Sequence, residues 1–212
     1  MSTRPNTAPH PPQEIIYVVD DDEAMRDSLE FLLESVQLPS RSFPSAQAFL
    51  DEVQADWHGC LLLDVRMPGM SGLDLQAELN AREIPLPVVI MTAYADVPMA
   101  IRAMHQGAVD FIEKPFNEQT LLDRIHQALE QHRALQERRV QRDRAVNLVE
   151  RLTPREREVM ALVVKGRLNK QIAGDLNLSQ KTVEQHRARV MEKMEAESLA
   201  GLVRLSIAAG EN

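Results

Sequence analysis

Ile15-Ile16-Tyr17-Val18-Val19-Asp20-Asp21-Asp22 sets five apolar residues against three acids. An unbroken apolar run of this length reads as a strand buried on both faces, as in a parallel sheet, because a half-exposed strand would alternate. Met25, Leu29, Leu32, Leu33 and Val36 follow at helical spacing. The unit then repeats. Further strands are predicted over 40–43, Cys60–Asp64, Val88–Met91 and Val109–Ile112, and helices over 45–54, 72–80, 97–106 and 117–131. Five strand–helix units in about 115 residues predict a doubly wound α/β domain over 14–131. Ligands on such sheets lie at the carboxyl ends of the strands, which is where chemistry is to be sought.

Outward from this core the chain changes character. The first 13 residues carry four prolines and no apolar segment, and read as a disordered tail rather than a leader. Residues 132–150 contain no Gly or Pro and many Arg, Gln and Glu, and read as a solvated helical linker. Leu121, Ile125, Leu129, His132 and Leu135 form a stripe that would suit self-association; a frayed polar connector is the plainer alternative. From 151 to 212 the pattern is all helical. Thr153-Pro154-Arg155-Glu156 is a helix start, with a cap, a proline at the first helical position and an acid three residues on. That helix should run to about Lys165 with Gly166 just past it, followed by helices near 169–176, 180–194 and 198–209.

Charge divides in the same way. Residues 14–130 hold 7 basic and 21 acidic side chains, 131–151 hold 6 and 3, and 152–212 hold 10 and 8, within a net charge of −8. An acidic first half does not attract nucleic acid by its field, whereas a mildly basic second half is compatible with it. The single cysteine, Cys60, excludes an internal disulfide and a Cys-based zinc site, and suits a reducing cytoplasm. Flanked by leucines, it reads as buried and inert. No apolar run reaches the roughly 20 residues of a membrane span. Trp57 and His58 read as loop packing, and the six histidines show no metal-ligand spacing.

Four strand ends carry Asp20/Asp21, Asp64, Thr92 and Lys114. Clustered carboxylates repel unless a cation balances them, and an all-oxygen donor set suits Mg²⁺. A metal-neutralised Asp can act as nucleophile towards a phosphoryl group, with Thr92 and Lys114 supplying a hydroxyl and an ammonium for its oxygens. Each piece alone has an ordinary reading as a turn or a helix cap; the coincidence on one sheet edge carries the weight.

Val19-Asp20-Asp21, the segment Leu63-Asp64-Val65-Arg66-Met67-Pro68-Gly69-Met70-Ser71-Gly72, Met91-Thr92-Ala93 and Phe111-Ile112-Glu113-Lys114-Pro115-Phe116 resemble the receiver domain of response regulators. The resemblance implies a CheY-like five-stranded fold and a phosphoryl group accepted on Asp64 from a sensor histidine kinase. It implies Mg²⁺ held by Asp21, Asp64 and the main-chain carbonyl of Arg66, with Asp20 acting through water. It further implies Lys114 paired with the acyl phosphate and a cis Lys114–Pro115 peptide. Asp22 makes a third acid where the family needs two; the pair is placed at Asp20 and Asp21. Thr92 and the coupled aromatic Phe111 would form the switch, reshaping the face of the fourth helix, fifth strand and fifth helix, through which similar regulators form homodimers. Val97, Met104 and Val109 are either contacts on that face or core.

On a helix over 180–194, Val183, Val190 and Met194 fall within about 40° and define a buried stripe. Lys181, Gln185, Ala188, Arg189 and Glu192 lie opposite, flanked by Glu184, with a small residue at the centre of long polar ones. Such a face suits a DNA groove, where Gln pairs with adenine and Arg with guanine. Arg187 lies near the stripe and suits a salt bridge or snorkelling as well as a phosphate contact; His186 reads as structural. Leu152-Thr153-Pro154-Arg155-Glu156-Arg157-Glu158-Val159, Asn169-Lys170-Gln171-Ile172-Ala173 and Thr182-Val183-Glu184-Gln185-His186-Arg187 resemble the LuxR-type four-helix domain. The whole chain after the tail is similar to the FixJ branch of the NarL/FixJ family. This implies a cytoplasmic transcription regulator, an activator working with RNA polymerase on double-stranded promoter DNA. Lys170, Thr182 and Arg189 would meet phosphates, and the last helix would pair two copies. Glu184 stands where many relatives carry a basic residue, which suggests base reading or structure there. An aspartyl phosphatase is disfavoured because Val65 and Arg66, not a second acid, follow Asp64. The chain is therefore not expected to be an enzyme.

Overall fold

The computed structural model describes residues 13–94 and 96–211, so the expected tail lies outside the described residues except for Gln13. The chain forms two compact units, 1–134 and 135–212, and each is taken by itself.

The first unit alternates β1 (Ile15–Val19), α1 (Glu23–Ser35), β2 (Ser40–Phe43), α2 (Ala46–Leu50), β3 (Gly59–Asp64), α3 (Gly72–Ala81), β4 (Val88–Thr92), α4 (Val97–His105) and β5 (Asp110–Glu113) before α5 (Glu118–Glu150). The strands are parallel in the order β2-β1-β3-β4-β5. Successive residues of β1 and β3 point to opposite faces, and both faces are covered. Tyr17, Val19, Leu61 and Leu63 pack with α2, α3 and α4, whereas Ile16, Val18, Cys60 and Leu62 pack with α1 and α5. That double burial explains the unbroken apolar runs. Trp57 stacks on Tyr17 with ring centroids 4.4 Å apart, the packing role expected of it. Burial pushes the Cys60 thiol up to about 12, so it is inert at neutral pH.

Two expectations are corrected. Helix α2 is far shorter than 45–54. The stripe proposed for self-association is core instead: Leu121, Ile125, Leu129 and His132 are buried in the first unit, and only Leu135 is exposed. The linker is helical as expected: α5 runs unbroken from Glu118 to Glu150, as the absence of Gly and Pro allows.

In the second unit the end of α5 is followed by α6 (Pro154–Val164), α7 (Asn169–Asp175), α8 (Gln180–Lys193) and α9 (Leu199–Ala209). Thr153 and Glu156 form the predicted capping box, with Pro154 at the start of α6. The sequence reading begins this domain at 151, yet its core also takes Leu148 and Val149 from α5. Val183, Val190 and Met194 are buried as the helical wheel requires. Among the described residues no helix is long and apolar enough to cross a membrane.

Candidate functional site

The register fixes the site. Val19 pairs with Leu63, Asp64 with Met91 and Thr92 with Glu113, so the carboxyl ends of β1, β3, β4 and β5 finish level. They deliver Asp20, Asp64, Thr92 and Lys114 to one edge, with strand order reversing between β1 and β3. Gly72, opening α3, is there for closeness: a Cβ would lie 2.1 Å from the Asp64 carbonyl oxygen.

Asp20 and Asp64 are both nearly inaccessible. The Lys114 ammonium lies 2.6 Å from Asp20 Oδ2 and 2.6 Å from Asp64 Oδ1. The Arg66 backbone N–H donates to Asp64 Oδ2 at 2.6 Å. Burial pushes the Asp64 carboxyl above its ordinary range, against the opposing hydrogen bond and charge of Lys114. Burial would lower Lys114, but its bonds to Asp20 and Asp64 outweigh that and hold the ammonium above its usual value. One lysine thus serves two buried carboxylates, and the pocket remains short of positive charge. Lys114–Pro115 is cis, as the resemblance implies.

The acid triplet divides its work. Asp20 is in the pocket, and Asp22 caps α1 by accepting from the Ala24 N–H at 3.0 Å. Asp21 is exposed and makes no hydrogen bond or ion pair among the described residues. Among those residues no three acidic, histidine or cysteine groups converge on a metal-sized position. Asp20 takes Lys114 directly. The donor set is nevertheless oxygen-only and under-neutralised, which fits a hard divalent ion better than a transition metal.

Thr92 is fully buried; its Oγ1 accepts from the Tyr94 N–H at 3.4 Å and donates to the Tyr94 carbonyl at 3.5 Å. Phe111 is half-buried against the core. Val97 and Met104 are exposed, with Ile101 between them, whereas Val109 packs against the core. The Arg66 guanidinium lies 4.6 Å from the centroid of the Tyr94 ring, a contact that no periodicity in the sequence signals.

In the second unit Lys181, Glu184, Gln185, Ala188, Arg189 and Glu192 are all exposed on α8, and Lys170 is exposed on α7. Thr182 is half-buried, its hydroxyl 2.7 Å from Ser179 Oγ. Arg187 turns inward, its Nη1 donating to Asn169 Oδ1 at 2.8 Å. Lys193 reaches Glu156 at 2.6 Å. Neither tie follows from helical spacing, because each joins different helices.

Residues 16–126 match the response regulator receiver domain, and residues 150–206 match the luxR family of bacterial regulatory proteins. The chain belongs to the response regulators of the NarL/FixJ family. The regulator is 47% identical to the transcriptional regulatory protein FixJ of Bradyrhizobium diazoefficiens over 196 residues, covering 92% of this chain and 95% of that protein. It is 41% identical to the transcriptional regulatory protein TdiR of Thauera aromatica, over 89% of this chain and 83% of that one. The solved response regulator StyR aligns with a TM-score of 0.82 and 43% identity, over 92% of this chain and 98% of that one. The regulator therefore pairs a receiver with a LuxR-type output domain and acts as a phosphorylation-controlled transcription regulator.

Proposed function

We propose that Asp64 accepts a phosphoryl group from a sensor histidine kinase and that this drives dimerisation and promoter binding. The carrying observation is the shared contact of Lys114 with Asp20 and Asp64 at one strand edge. Asp64 Oδ1 is the nucleophile. The phosphorus–nitrogen bond of the donor phosphohistidine breaks as the oxygen–phosphorus bond forms, and the electron pair leaves with the imidazole. Asp20, Asp21, Asp64 and the Arg66 carbonyl would hold Mg²⁺, which supplies positive charge for the phosphoryl oxygens. Lys114 offers hydrogen bonds to the same oxygens, and the Arg66 N–H fixes the carboxylate rotamer.

Phosphorylation takes the acceptor from −1 to roughly −2 charge, favouring movement of donors towards it. Thr92 is the nearest hydroxyl on the adjoining strand end, and Phe111 lies on the next strand. Their rearrangement would reshape a homodimer face on α4, β5 and α5. In the output domain, α8 would enter the major groove with Lys181, Glu184, Gln185 and Ala188, and Lys170, Thr182 and Arg189 would meet phosphates. The reading is of a cytoplasmic activator that works with RNA polymerase and not of an enzyme with its own substrate. The test is the mass and oligomeric state of the wild type and Asp64→Asn after acetyl phosphate and Mg²⁺. One phosphoryl group and a dimer in the wild type alone support the reading; an equal mass gain in Asp64→Asn overturns the assignment of the acceptor.

A further inference from the structure

We infer that the exposed cationic face of α5 upstream of Ala145 is a second DNA-contacting surface, which takes the phosphate backbone beside the groove read by α8. The inference rests on the DNA-binding reading above. On a helix turning about 100° per residue, Arg138, Arg142, Ala145 and Val149 fall within an arc of about 60°. Val149 belongs to the output domain's core and Ala145 is buried, whereas Arg138 and Arg142 are exposed. The face of α5 that packs on the domain therefore runs past its edge, and where it does so its side chains change from apolar to cationic. Arg139 flanks them.

That overhang starts next to the recognition helix. Glu195, two residues beyond α8, bonds Arg144 at 2.7 Å and Arg151 at 3.2 Å, pinning α5 beside the end of α8. From Arg144 back to Arg138 is about 9 Å of helix axis. A helix lying in a major groove is flanked by phosphates, and cations within two turns of its end are placed for backbone contact.

The charge inventory points the same way. Arg144, Arg151, Arg155, Arg157, Arg187 and Lys193 are each tied inside the unit. Arg138, Arg139 and Arg142 have no such partner among the described residues, a state they share with Lys165, Arg167, Lys170, Lys181, Arg189 and Arg204; they alone form a cluster on α5. Two cations at i and i+4 with no anion between them destabilise a helix, a cost that a phosphate removes.

The test is binding of the full chain to a random-sequence DNA duplex across a salt series, comparing wild type, Arg138→Gln/Arg142→Gln and Arg138→Lys/Arg142→Lys. The slope of log affinity on log salt should fall by about 2 per chain in the Gln variant, at about 0.9 per lost phosphate contact, and return in the Lys variant. A Gln variant with the wild-type slope overturns the inference. So does one that binds more tightly, which would place the stripe against the acidic receiver. Wild type that binds no duplex at any salt would refute the DNA-binding reading itself, and the inference with it.

Discussion

Lys114 Nζ lies 2.6 Å from Asp64 Oδ1, yet the Asp64 carboxyl still titrates above its ordinary 3.8 because burial outweighs the lysine. A carboxyl raised in the folded state binds a proton more readily there than in the unfolded chain. Its charge therefore opposes folding above the folded pKa, and the penalty disappears below the unfolded value. Asp64→Asn should unfold at higher urea than wild type at pH 7 without Mg²⁺, with the difference shrinking as the pH falls towards 3.8. Lys114→Met has the opposite sign: it leaves two carboxylates facing each other and should cost about 1–3 kcal/mol at pH 7, less in acid. Equal urea midpoints for all three proteins at pH 7 would contradict this account.

Much of this was legible in the sequence because parallel sheets bury both faces, so strands appear as apolar runs and their ends as abrupt polar residues. Asp20, Asp64, Thr92 and Lys114 each stand at such an end, and strand order alone brings them together. The division of the Asp20-Asp21-Asp22 triplet was not legible, because capping and burial depend on the path of the chain after Val19. The same holds for α5. Its Leu121–His132 stripe has the spacing of a helix face but carries no sign of what covers it, and the cover is the sheet of its own domain. The Arg66–Tyr94 stack and the Asn169–Arg187 bond join loops and helices distant in sequence, where periodicity carries no information.

Val97, Ile101 and Met104 lie on α4 at successive helical turns and are 73%, 52% and 49% exposed. Three large apolar side chains exposed in one row suit the dimer seam proposed above. Ile101→Lys should leave phosphate uptake by Asp64 and folding stability within about 0.5 kcal/mol of wild type. It should weaken dimerisation of the phosphorylated protein at least tenfold by sedimentation, because each seam then buries a lysine without a partner. Unchanged dimerisation would remove α4 from the interface.

Glu156 holds the output domain together through charge. Its carboxyl is depressed to about 2 by the Lys193 ammonium, with the Thr153 N–H and hydroxyl adding to it. A depressed carboxyl contributes stability that is complete above its unfolded value of 4.5 and is lost as the pH falls from there towards 2. Lys193 remains partly open to water, so screening limits the contribution to about 1–2 kcal/mol. Glu156→Gln should lose that amount at pH 7, read as faster amide exchange in α6 and α8. The variant should also show a flatter stability profile between pH 5 and 2. Wild-type exchange rates in both helices would show that the pair contributes nothing.

Arg187 and Arg189 are two residues apart on α8 but face different surroundings. Arg187 is committed to Asn169 at 2.8 Å, tying α7 to α8, while Arg189 is exposed on the face proposed to meet DNA. Replacing a side chain bonded within the protein changes stability first; replacing one that awaits a ligand changes affinity first. Arg187→Ala and Asn169→Ala should each destabilise the output domain, and in a double-mutant cycle should show a coupling of about 1 kcal/mol. Arg187→Ala should leave the salt dependence of DNA binding as it was, since no phosphate contact is removed. Arg189→Ala should leave unfolding unchanged, weaken binding about equally on all sequences and lower the salt slope by about one unit. If Arg187→Ala instead lowers the salt slope by about one unit, its guanidinium leaves Asn169 for a phosphate when DNA binds, and the inward position belongs to the free protein alone.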